Sequence, residues 1–597
     1  MLISIVLYVR NRGFQPDEDL SNATLPTNPA PPRAEEERRP VELPAPIAVT
    51  RLNLIVCVVV VALACAAIAV RPLTVDDAVD YRTTGADAQR SASQWAAGAP
   101  HYAKTFTHPL AGFRSWDRDS DREEGGAPLS GFDSIAAEYL IQKGFPIHDL
   151  VEVMKTKIEA ATWMVRSFTP LQKDEMLVEV DPRVARVIGY HRYQEQKKPG
   201  PRLEQAAALA IALRAFQRFG VDANAFELKE ALAFQQPNRG DWLFHFQERR
   251  PIAADAYRRI SVRVAGDQMT QFTTTVKIPD AFYREANAQT LLNVVFTILR
   301  IVGFLGILSL IVAGFVVAAR RNRFQWKRPL RWTLVLALIP ILASLVHLRL
   351  DQFGYNTSMG WDTFLTNLTV DRLRTIGLQI GLIFLALAGI EATFPHALDL
   401  TRREARARVG RAALIAALIA LGAAVIRRVG VQIIMLHFPS VAWTSGIDVP
   451  IEVAIPLPFI LGIGDAIIRS IEVAAAAALF VTALRGANRP WLPSAAAAVA
   501  YFCTSLDSSA TLRQTPLMLL SAASAALLLW LLTTYVMRNN LLAYPLAVAL
   551  ALLLSDAATL LQNHRADLQT AGIVEIAAVI ALVIWIAAPR SSPIEHA

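Results

Sequence analysis

The sequence predicts a polytopic α-helical membrane protein of about ten transmembrane helices with an inserted α+β extracytoplasmic domain. Of the 597 residues, 53% are hydrophobic and only 18% are charged, and the mean hydropathy of +0.34 is too high for a soluble protein of this length. The apolar residues gather in long runs that begin at Leu52. Between the first two runs, residues 131–280 show helical periodicity that gives way to strand-like alternation, and this cycle then recurs.

The N-terminal region predicts a tail followed by an anchor. Residues 1–50 are predicted to form a disordered cytoplasmic tail, because PTNPAPPRAEEERRP has too little apolar surface to offset the entropy of ordering. Residues 51–70 are predicted to form a retained transmembrane anchor, since no small-residue cleavage site follows the apolar run. Arg38, Arg39 and Arg51 precede this anchor and favour a cytoplasmic N-terminus.

Residues 290–590 are predicted to form a multi-span membrane domain of about nine further helices. The predicted spans are 291–318, 332–349, 375–394, 412–428, 467–484, 491–506, 515–537, 541–561 and 570–588. Basic clusters within 320–331 and 402–411 place alternate loops, and with them the C-terminal tail 591–597, in the cytoplasm. Segment 450–466 has three prolines and two glycines, which favour a re-entrant or interfacial path over a span.

On this topology residues 71–289 form an extracytoplasmic domain. The Ala- and Arg-rich composition indicates a bacterial protein, so we expect this domain in the periplasm and the protein in the cytoplasmic (inner) membrane. Two copies of one structural unit are predicted inside the domain, at about 131–193 and 202–280. Each copy has the pattern of a helix packed over a small antiparallel sheet.

The two copies share the spacing of their landmarks. A predicted helix ends at Gly144 in the first copy and at Gly220 in the second. A tryptophan on a strand follows 19 residues later as Trp163 and 22 residues later as Trp242. This common order supports a repeated unit.

An aromatic alternation marks one strand of the second copy. Trp242, Phe244 and Phe246 fall on one side of the strand and are predicted to form the core under the helix. His245 falls on the opposite side and is predicted to face solvent.

Residues 131–285 also carry a resemblance to known families. The helix-then-meander unit resembles the PepSY-like modules of bacterial envelope proteins. The runs QQPNRGDWLFHF, RRISVRVAGDQMTQF and VKIPDAFYRE, followed by membrane spans, resemble the N-terminal extension of large CPBP-family proteins. That family comprises intramembrane metalloproteases of the CAAX-protease and bacteriocin-processing type. The resemblance implies a helical membrane body of common ancestry.

The motifs that carry this family's chemistry are missing from the sequence. Its metal site would need Glu-Glu-x-x-x-Arg, Phe-x-x-x-His and His-x-x-x-Asn/Asp on successive spans. The place where the first motif would lie reads Ser470-Ile-Glu472-Val-Ala474, with one carboxylate and no arginine in register. The resemblance therefore implies ancestry and fold but not proteolysis.

Charged residues inside the predicted spans are the candidate functional site, because charge in a membrane is costly and usually marks function. The members of this polar intramembrane cluster are Arg300, Arg427, Arg428, Arg469, Glu472, Asp556 and Glu575. One interpretation is a cavity for a substrate or ion that opens to the periplasm. The plainer alternative is that the arginines reach the interface and that Arg469 pairs with Glu472 one turn away.

A metal site is a third interpretation of the same region. Its weak catalytic candidates are Glu472, Asp556, His437 and His564, which together offer oxygen and nitrogen ligands for zinc. Apart from this alternative, no cofactor is predicted.

Three functions remain open. The favoured hypothesis is a non-catalytic or degenerate inner-membrane protein of CPBP-like ancestry whose periplasmic domain binds a peptide or protein partner. The second is a divergent CPBP-type intramembrane metalloprotease, so enzymatic activity stays uncertain. The third is a transporter or lipid-handling protein with a periplasm-facing polar cavity. The lipid bilayer is a partner in all three, and nucleic acid is not expected, because membrane orientation explains the basic residues.

Overall fold

The computed structural model describes residues 50–98, 106, 108–115, 131–320, 326–394, 398, 403–442, 451–484, 489, 491–538 and 540–587. Apart from Thr50, the predicted tails 1–50 and 591–597 lie outside the described residues. The described part is mostly helical and contains an α+β domain built on an eight-stranded sheet.

The helices fall into two sets. Those of the α+β domain are α2 (Gly85–Ala97), α3 (Ser134–Gln142), α4 (Ile147–Thr156), α5 (Gln205–Arg218) and α6 (Asp280–Ala286). Those of the membrane body are α1 (Arg51–Ala69), α7 (Leu291–Arg320), α8 (Lys327–Leu336), α9 (Leu338–Phe353), α10 (Trp361–Thr393), α11 (Arg403–His437), α12 (Phe459–Leu484), α13 (Leu492–Thr504), α14 (Thr515–Leu531), α15 (Ala543–Gln562) and α16 (Ala566–Ala587). A π-helical turn, Leu532–Val536, extends α14.

Nine helical segments of the described chain are long and apolar enough to cross a membrane, which makes this a membrane protein. Helices α8 and α9 together form one of these segments. The prediction of a tenth span at 491–506 is not met, because α13 has only 13 residues. At 1.5 Å per residue such a helix covers about 20 Å of the roughly 30 Å of hydrocarbon.

The segment predicted as re-entrant, 450–466, divides at Pro458. Residues from Phe459 onward belong to α12, so this part of the prediction is wrong. Ile451–Ala454 form a 3-10 turn before it, in which Val453 is buried against the sheet domain and against Leu560 of α15. The turn therefore lies between the domain and the membrane body.

The strands are β1 (His108–Ser115), β2 (Ala161–Phe168), β3 (Glu175–Val180), β4 (Val187–Tyr193), β5 (Phe226–Gln235), β6 (Gly240–Glu248), β7 (Tyr257–Ala265) and β8 (Gln268–Lys277). Their order in the sheet is β1-β2-β3-β4-β8-β7-β6-β5, with neighbouring strands antiparallel. Two four-stranded meanders thus meet through their last strands. Tyr190 pairs with Phe272 and His191 with Gln271 at this junction.

Each meander carries one helix on the same face of the sheet. Helix α2 packs on β1 to β4 and α5 packs on β6 to β8. The indole of Trp163 donates to the carbonyl of Thr83, just before α2, at 3.2 Å. In the second half the indole of Trp242 donates to the carbonyl of Leu203, just before α5, at 2.9 Å. In both halves, therefore, a tryptophan of the second strand makes the same hydrogen bond to the segment just before the helix.

This arrangement changes the boundaries of the first repeat. The helix paired with Trp163 is Gly85–Ala97 and not the one that ends before Gly144, so the first half begins well before residue 131. Helices α3 and α4 are inserted between β1 and β2, and they pack in a separate apolar cluster around Ile135 and Leu150. Gly144 belongs to this insertion, so the similarity between its distance to Trp163 and the distance from Gly220 to Trp242 is a coincidence.

The shared core lies between the sheet and its two helices. Phe244 and Phe246 are buried in it, as predicted from their alternation, and Phe216 of α5 packs edge-on against Phe246. His245 lies on the opposite face, but it is half-buried and hydrogen-bonded to Ser261 at 2.8 Å, so the prediction of a solvent-facing side chain is wrong.

The domain is docked on one end of the membrane body through several inter-helix loops. Arg166 donates to the carbonyls of Phe353 and Tyr355, both at 2.7 Å, at the end of α9. The backbone N–H of Tyr81 donates to Asn563 between α15 and α16 at 3.2 Å. These contacts identify one end of the helices as the domain side.

Candidate functional site

The seven charged residues predicted as one polar cluster lie at five separate places. Arg469 and Glu472 lie on one exposed face of α12, and Asp556 and Glu575 meet where α12, α15 and α16 join. Arg300 and Arg427 each bond to a different neighbouring segment. Arg428 is exposed on α11. The seven side chains therefore do not line a single cavity.

The face on α12 contains a third charged residue that the sequence analysis missed. Arg469 lies 3.4 Å from Asp465 and 3.2 Å from Glu472, at i−4 and i+3. The side chains of Asp465, Arg469 and Glu472 keep 56%, 60% and 43% of their surface accessible. Asp465 was overlooked because it fell in the segment read as re-entrant, although its spacing to Arg469 is one helical turn.

This charged face lies beside two sides of α12 that pack on neighbouring helices. Helix α12 contacts α7 and α15, among other helices of the membrane body. On α12, Leu479 packs against Gly314 of α7, whereas Ser470 donates to the carbonyl of Pro545 of α15 at 2.9 Å. At 100° per residue Leu479 and Ser470 point to opposite sides of α12, and the charged face lies between these two contacts. The three charged side chains therefore share an accessible strip of α12 between α7 and α15.

The second place is a junction of three helices. A Cβ added at Gly462 of α12 would lie 2.2 Å from Oε1 of Glu575 and 3.5 Å from Oδ2 of Asp556. Glu575 is fully buried on α16, whereas Asp556 on α15 is half-buried. The absence of a side chain at Gly462 lets two carboxylates from neighbouring helices approach the third helix. The sequence indicated both acids but not the glycine that admits them.

Two of the arginines are held by polar groups of neighbouring segments. Arg300 of α7 donates to the hydroxyl of Ser508 at 3.2 Å, in the loop after α13. Arg427 of α11 donates to the carbonyl of Ser521 at 3.2 Å and to the hydroxyl of Ser524 at 3.5 Å on α14. These hydrogen bonds tie both arginines to neighbouring segments of the membrane body.

The residues proposed for a metal site are not brought together. His437 bonds to the carbonyl of Ile433 in its own helix, and His564 lies in the loop after α15 beside Asp80 at 3.1 Å. Glu472 pairs with Arg469 on the accessible face of α12, whereas Asp556 lies at the three-helix junction. In the part of the chain that the structure describes, no three His, Cys, Asp or Glu side chains form a group that could hold a metal ion.

His564 belongs instead to the docking of the domain. Burial by itself would raise the pKa of Asp80, but hydrogen bonds from Arg82 and His564 outweigh it and hold this pKa below its usual value. Arg565 next to it donates to the carbonyls of Val453 at 2.9 Å and Thr83 at 3.3 Å. This loop therefore joins α15 and α16 to the segment that precedes α2.

Comparison of the chain with protein-family models, with curated proteins and with solved structures gives no match.

Proposed function

We propose that this protein is a membrane transporter that binds a positively charged solute at the polar face of α12. The observation that carries the proposal is the group of three charged side chains on one face of a membrane helix, each with about half of its surface accessible, which we take to line a polar cavity. Charge at such a place is costly unless it contacts water or a ligand. A membrane body that only anchored a domain would not need charged side chains at this place.

The sign of the charge favours a cation. Asp465 and Glu472 provide two carboxylates around the single guanidinium of Arg469. Both acids retain accessible surface while they pair with Arg469, so a protonated amine can approach them without first breaking a buried ion pair. We therefore expect organic cations to bind in preference to anions.

We further propose that the cavity opens toward the periplasm and that the protein lies in the bacterial inner membrane. Asp465 and Arg469 lie in the first half of α12, the half nearest the docked domain, and Glu472 lies at the middle of the helix. The basic clusters of the sequence lie in loops that join the opposite ends of the helices. Both features support a solute that enters from the domain side.

The first test asks whether the α12 face is hydrated. Starting from a variant with Cys57, Cys65 and Cys503 replaced by alanine, Glu472→Cys is treated in lipid vesicles with a charged, membrane-impermeant thiosulfonate. The matched control is Val58→Cys on α1, where the side chain is 61% exposed on a helix that packs mainly on α11. Labelling at 472 and not at 58 is expected, because the reagent needs water; equal reactivity at both would contradict the cavity.

The second test measures transport. Proteoliposomes are assayed for uptake of radiolabelled choline, arginine and spermidine, with phosphate as the probe of opposite charge. We expect saturable uptake of at least one cation, lost by about tenfold or more in Glu472→Gln and retained in Asp371→Asn, whose side chain is 64% exposed on α10. No cation uptake, or uptake unchanged by Glu472→Gln, would contradict the proposal.

CPBP-like ancestry of the membrane body stays a proposal beside this function. It rests on the runs of residues 131–285 described above and on the placement of a helical body after them. The separation of Glu472, Asp556, His437 and His564 argues against the metalloprotease alternative. The proposed ancestry and the proposed transport are compatible, because a membrane body without the catalytic residues of the family can still transport a solute.

A further inference from the structure

The α+β domain contains a cavity that none of the features above uses. It has a volume of about 280 Å³, close to the lower end of small-molecule sites, which begin near 300 Å³. It lies where the two halves of the sheet meet, between the end of α4, the start of β4 and the strand ends of the second half. A space of this size holds many waters or one small ligand.

One of the residues that line the cavity is an arginine whose Nε atom makes no hydrogen bond within the described chain. Arg258 lines the cavity, and its guanidinium lies 5.6 Å from the ring centre of Phe226. Its Nε atom has no hydrogen-bond partner among the described residues. Burial lowers the pKa of Arg258, while Glu248 and Glu159 act in the opposite sense through space. A guanidinium offers a planar fork that suits a carboxylate.

A carboxylate of the chain lies across from this arginine. Gln247 on β6 pairs with Arg259 on β7, so Glu248 and Arg258 are the next residues along the two strands. Both line the cavity, yet they form no ion pair with each other within the described chain. Glu159 is buried deeper, and burial raises the pKa of its carboxyl, with Asp181 adding to this. The cavity thus presents to one ligand-sized space a cation and an anion that form no ion pair with each other in the described chain.

We propose that this cavity binds a small zwitterion, with the carboxylate of the ligand on Arg258 and its ammonium group on Glu248. Free α-amino acids and the ends of short peptides share this chemistry. The rim adds charge of both signs, because Lys157, Arg186 and Asp222 are exposed at the opening. The site is separate from the α12 face, so it stands or falls independently of the transport function.

The test is a calorimetric titration of the full-length protein in nanodiscs at pH 7. The probes are alanine, alanyl-alanine, and N-acetyl-alanyl-alanine amide, which has the same backbone without either terminal charge. We expect saturable binding of alanine or of alanyl-alanine and at least about tenfold weaker binding of the capped peptide. Alanine alone would assign the site to amino acids, and alanyl-alanine alone to peptide ends.

Variants locate the binding. Arg258→Gln and Glu248→Gln are each expected to weaken binding by about tenfold or more, as loss of a charged hydrogen bond does. The matched control is Arg259→Gln, whose side chain lies on the other face of β7 and also has an unpartnered Nε in the described chain. Absence of saturable binding by both zwitterions, equal binding of the capped peptide, or full binding by Glu248→Gln would overturn the proposal. Glu248 is half-exposed, so this last variant tests the site even where Arg258→Gln fails to fold.

Discussion

Single residues decide where charge can be buried in this protein. Glu575 is fully buried in the middle of an apolar helix, and it can approach α12 because position 462 has no side chain. Arg427 reaches serine groups of α14, whereas Arg469 stays half-exposed beside two acids. The sequence identified most of these charges, since a charge in an apolar run is visible locally. It could not show their partners, because those lie on helices distant in the chain.

The first prediction concerns Gly462. We expect Gly462→Ala to lower the melting temperature of the purified protein, because the new Cβ would lie 2.2 Å from Oε1 of Glu575. A cost of about 1–3 kcal/mol is typical of such overpacking. In a Glu575→Ala background the same change should cost much less, which a double-mutant cycle measures.

Gly306→Ala is the control for that cycle. A Cβ at Gly306 of α7 would meet no atom within 4 Å, so this change is expected to be neutral or stabilising. Equal losses from Gly462→Ala with and without Glu575 would show that the carboxylate is not what the methyl group displaces.

The second prediction concerns His191 in the sheet. Burial, and then the nearby charge of Arg263, lower the pKa of His191 to about 4. The unfolded chain takes up a proton near pH 6.5 and the folded domain does not, so stability is full above about pH 6.5 and falls as the pH drops toward 4. The pKa difference corresponds to about 3 kcal/mol at most.

Urea unfolding of the α+β domain within the full-length protein, followed by tryptophan fluorescence at pH 7 and 4.5, checks this dependence. We expect His191→Gln to lose less stability between the two pH values than the wild type. His148→Gln, at an exposed histidine of α4, should behave like the wild type. A decline in His191→Gln as steep as that of the wild type would refute the assignment to His191.

At the scale of elements, the sequence predicted the features whose signal is local. Long apolar runs predicted the membrane helices, and alternation predicted the strands around Trp163 and Trp242. The strands His108–Ser115 and Phe226–Gln235, which the sequence did not predict, are the edge strands of the two halves. FELKEALAFQ has the composition of a helix, and its exposed side chains give no clear alternation. Helix α2 was missed because its core face consists of alanines, Ala88, Ala92 and Ala96.

The third prediction tests whether the tryptophan hydrogen bond contributes equally to stability in the two halves of the sheet. Trp163→Phe and Trp242→Phe each remove one indole hydrogen bond to the carbonyl before a helix while keeping an aromatic ring. We expect similar losses of about 1 kcal/mol each in the free energy of unfolding of the domain. Trp95→Phe on α2 is the control, since its indole N–H has no hydrogen-bond partner in the described chain. If only one of the two variants lost stability, the two hydrogen bonds would share their geometry but not their contribution to the free energy of unfolding.

At the scale of the whole molecule, the main feature is the docking of the sheet domain on the membrane body. Aromatic rings meet across this contact, with Phe168 of β2 lying 4.7 Å from Tyr355 and 5.8 Å from Trp361. A Cβ at Gly112 of β1 would lie 3.0 Å from the ring of Phe353. None of these contacts was predictable from the sequence, because each joins residues far apart in the chain whose local patterns contain no sign of one another.

The last prediction follows from Arg166, which joins the two bodies most directly. It pairs with Glu175 at 2.5 Å inside the sheet and donates to the carbonyls of Phe353 and Tyr355 at the end of α9. We expect Arg166→Gln to loosen this loop, so that amide hydrogen exchange in residues 354–361 rises by about tenfold or more while exchange in the sheet core stays the same. Arg183→Gln serves as the control, because its bonds to Asp181 stay within the domain. Unchanged exchange of the loop in Arg166→Gln would mean that the aromatic contacts hold the domain without the arginine.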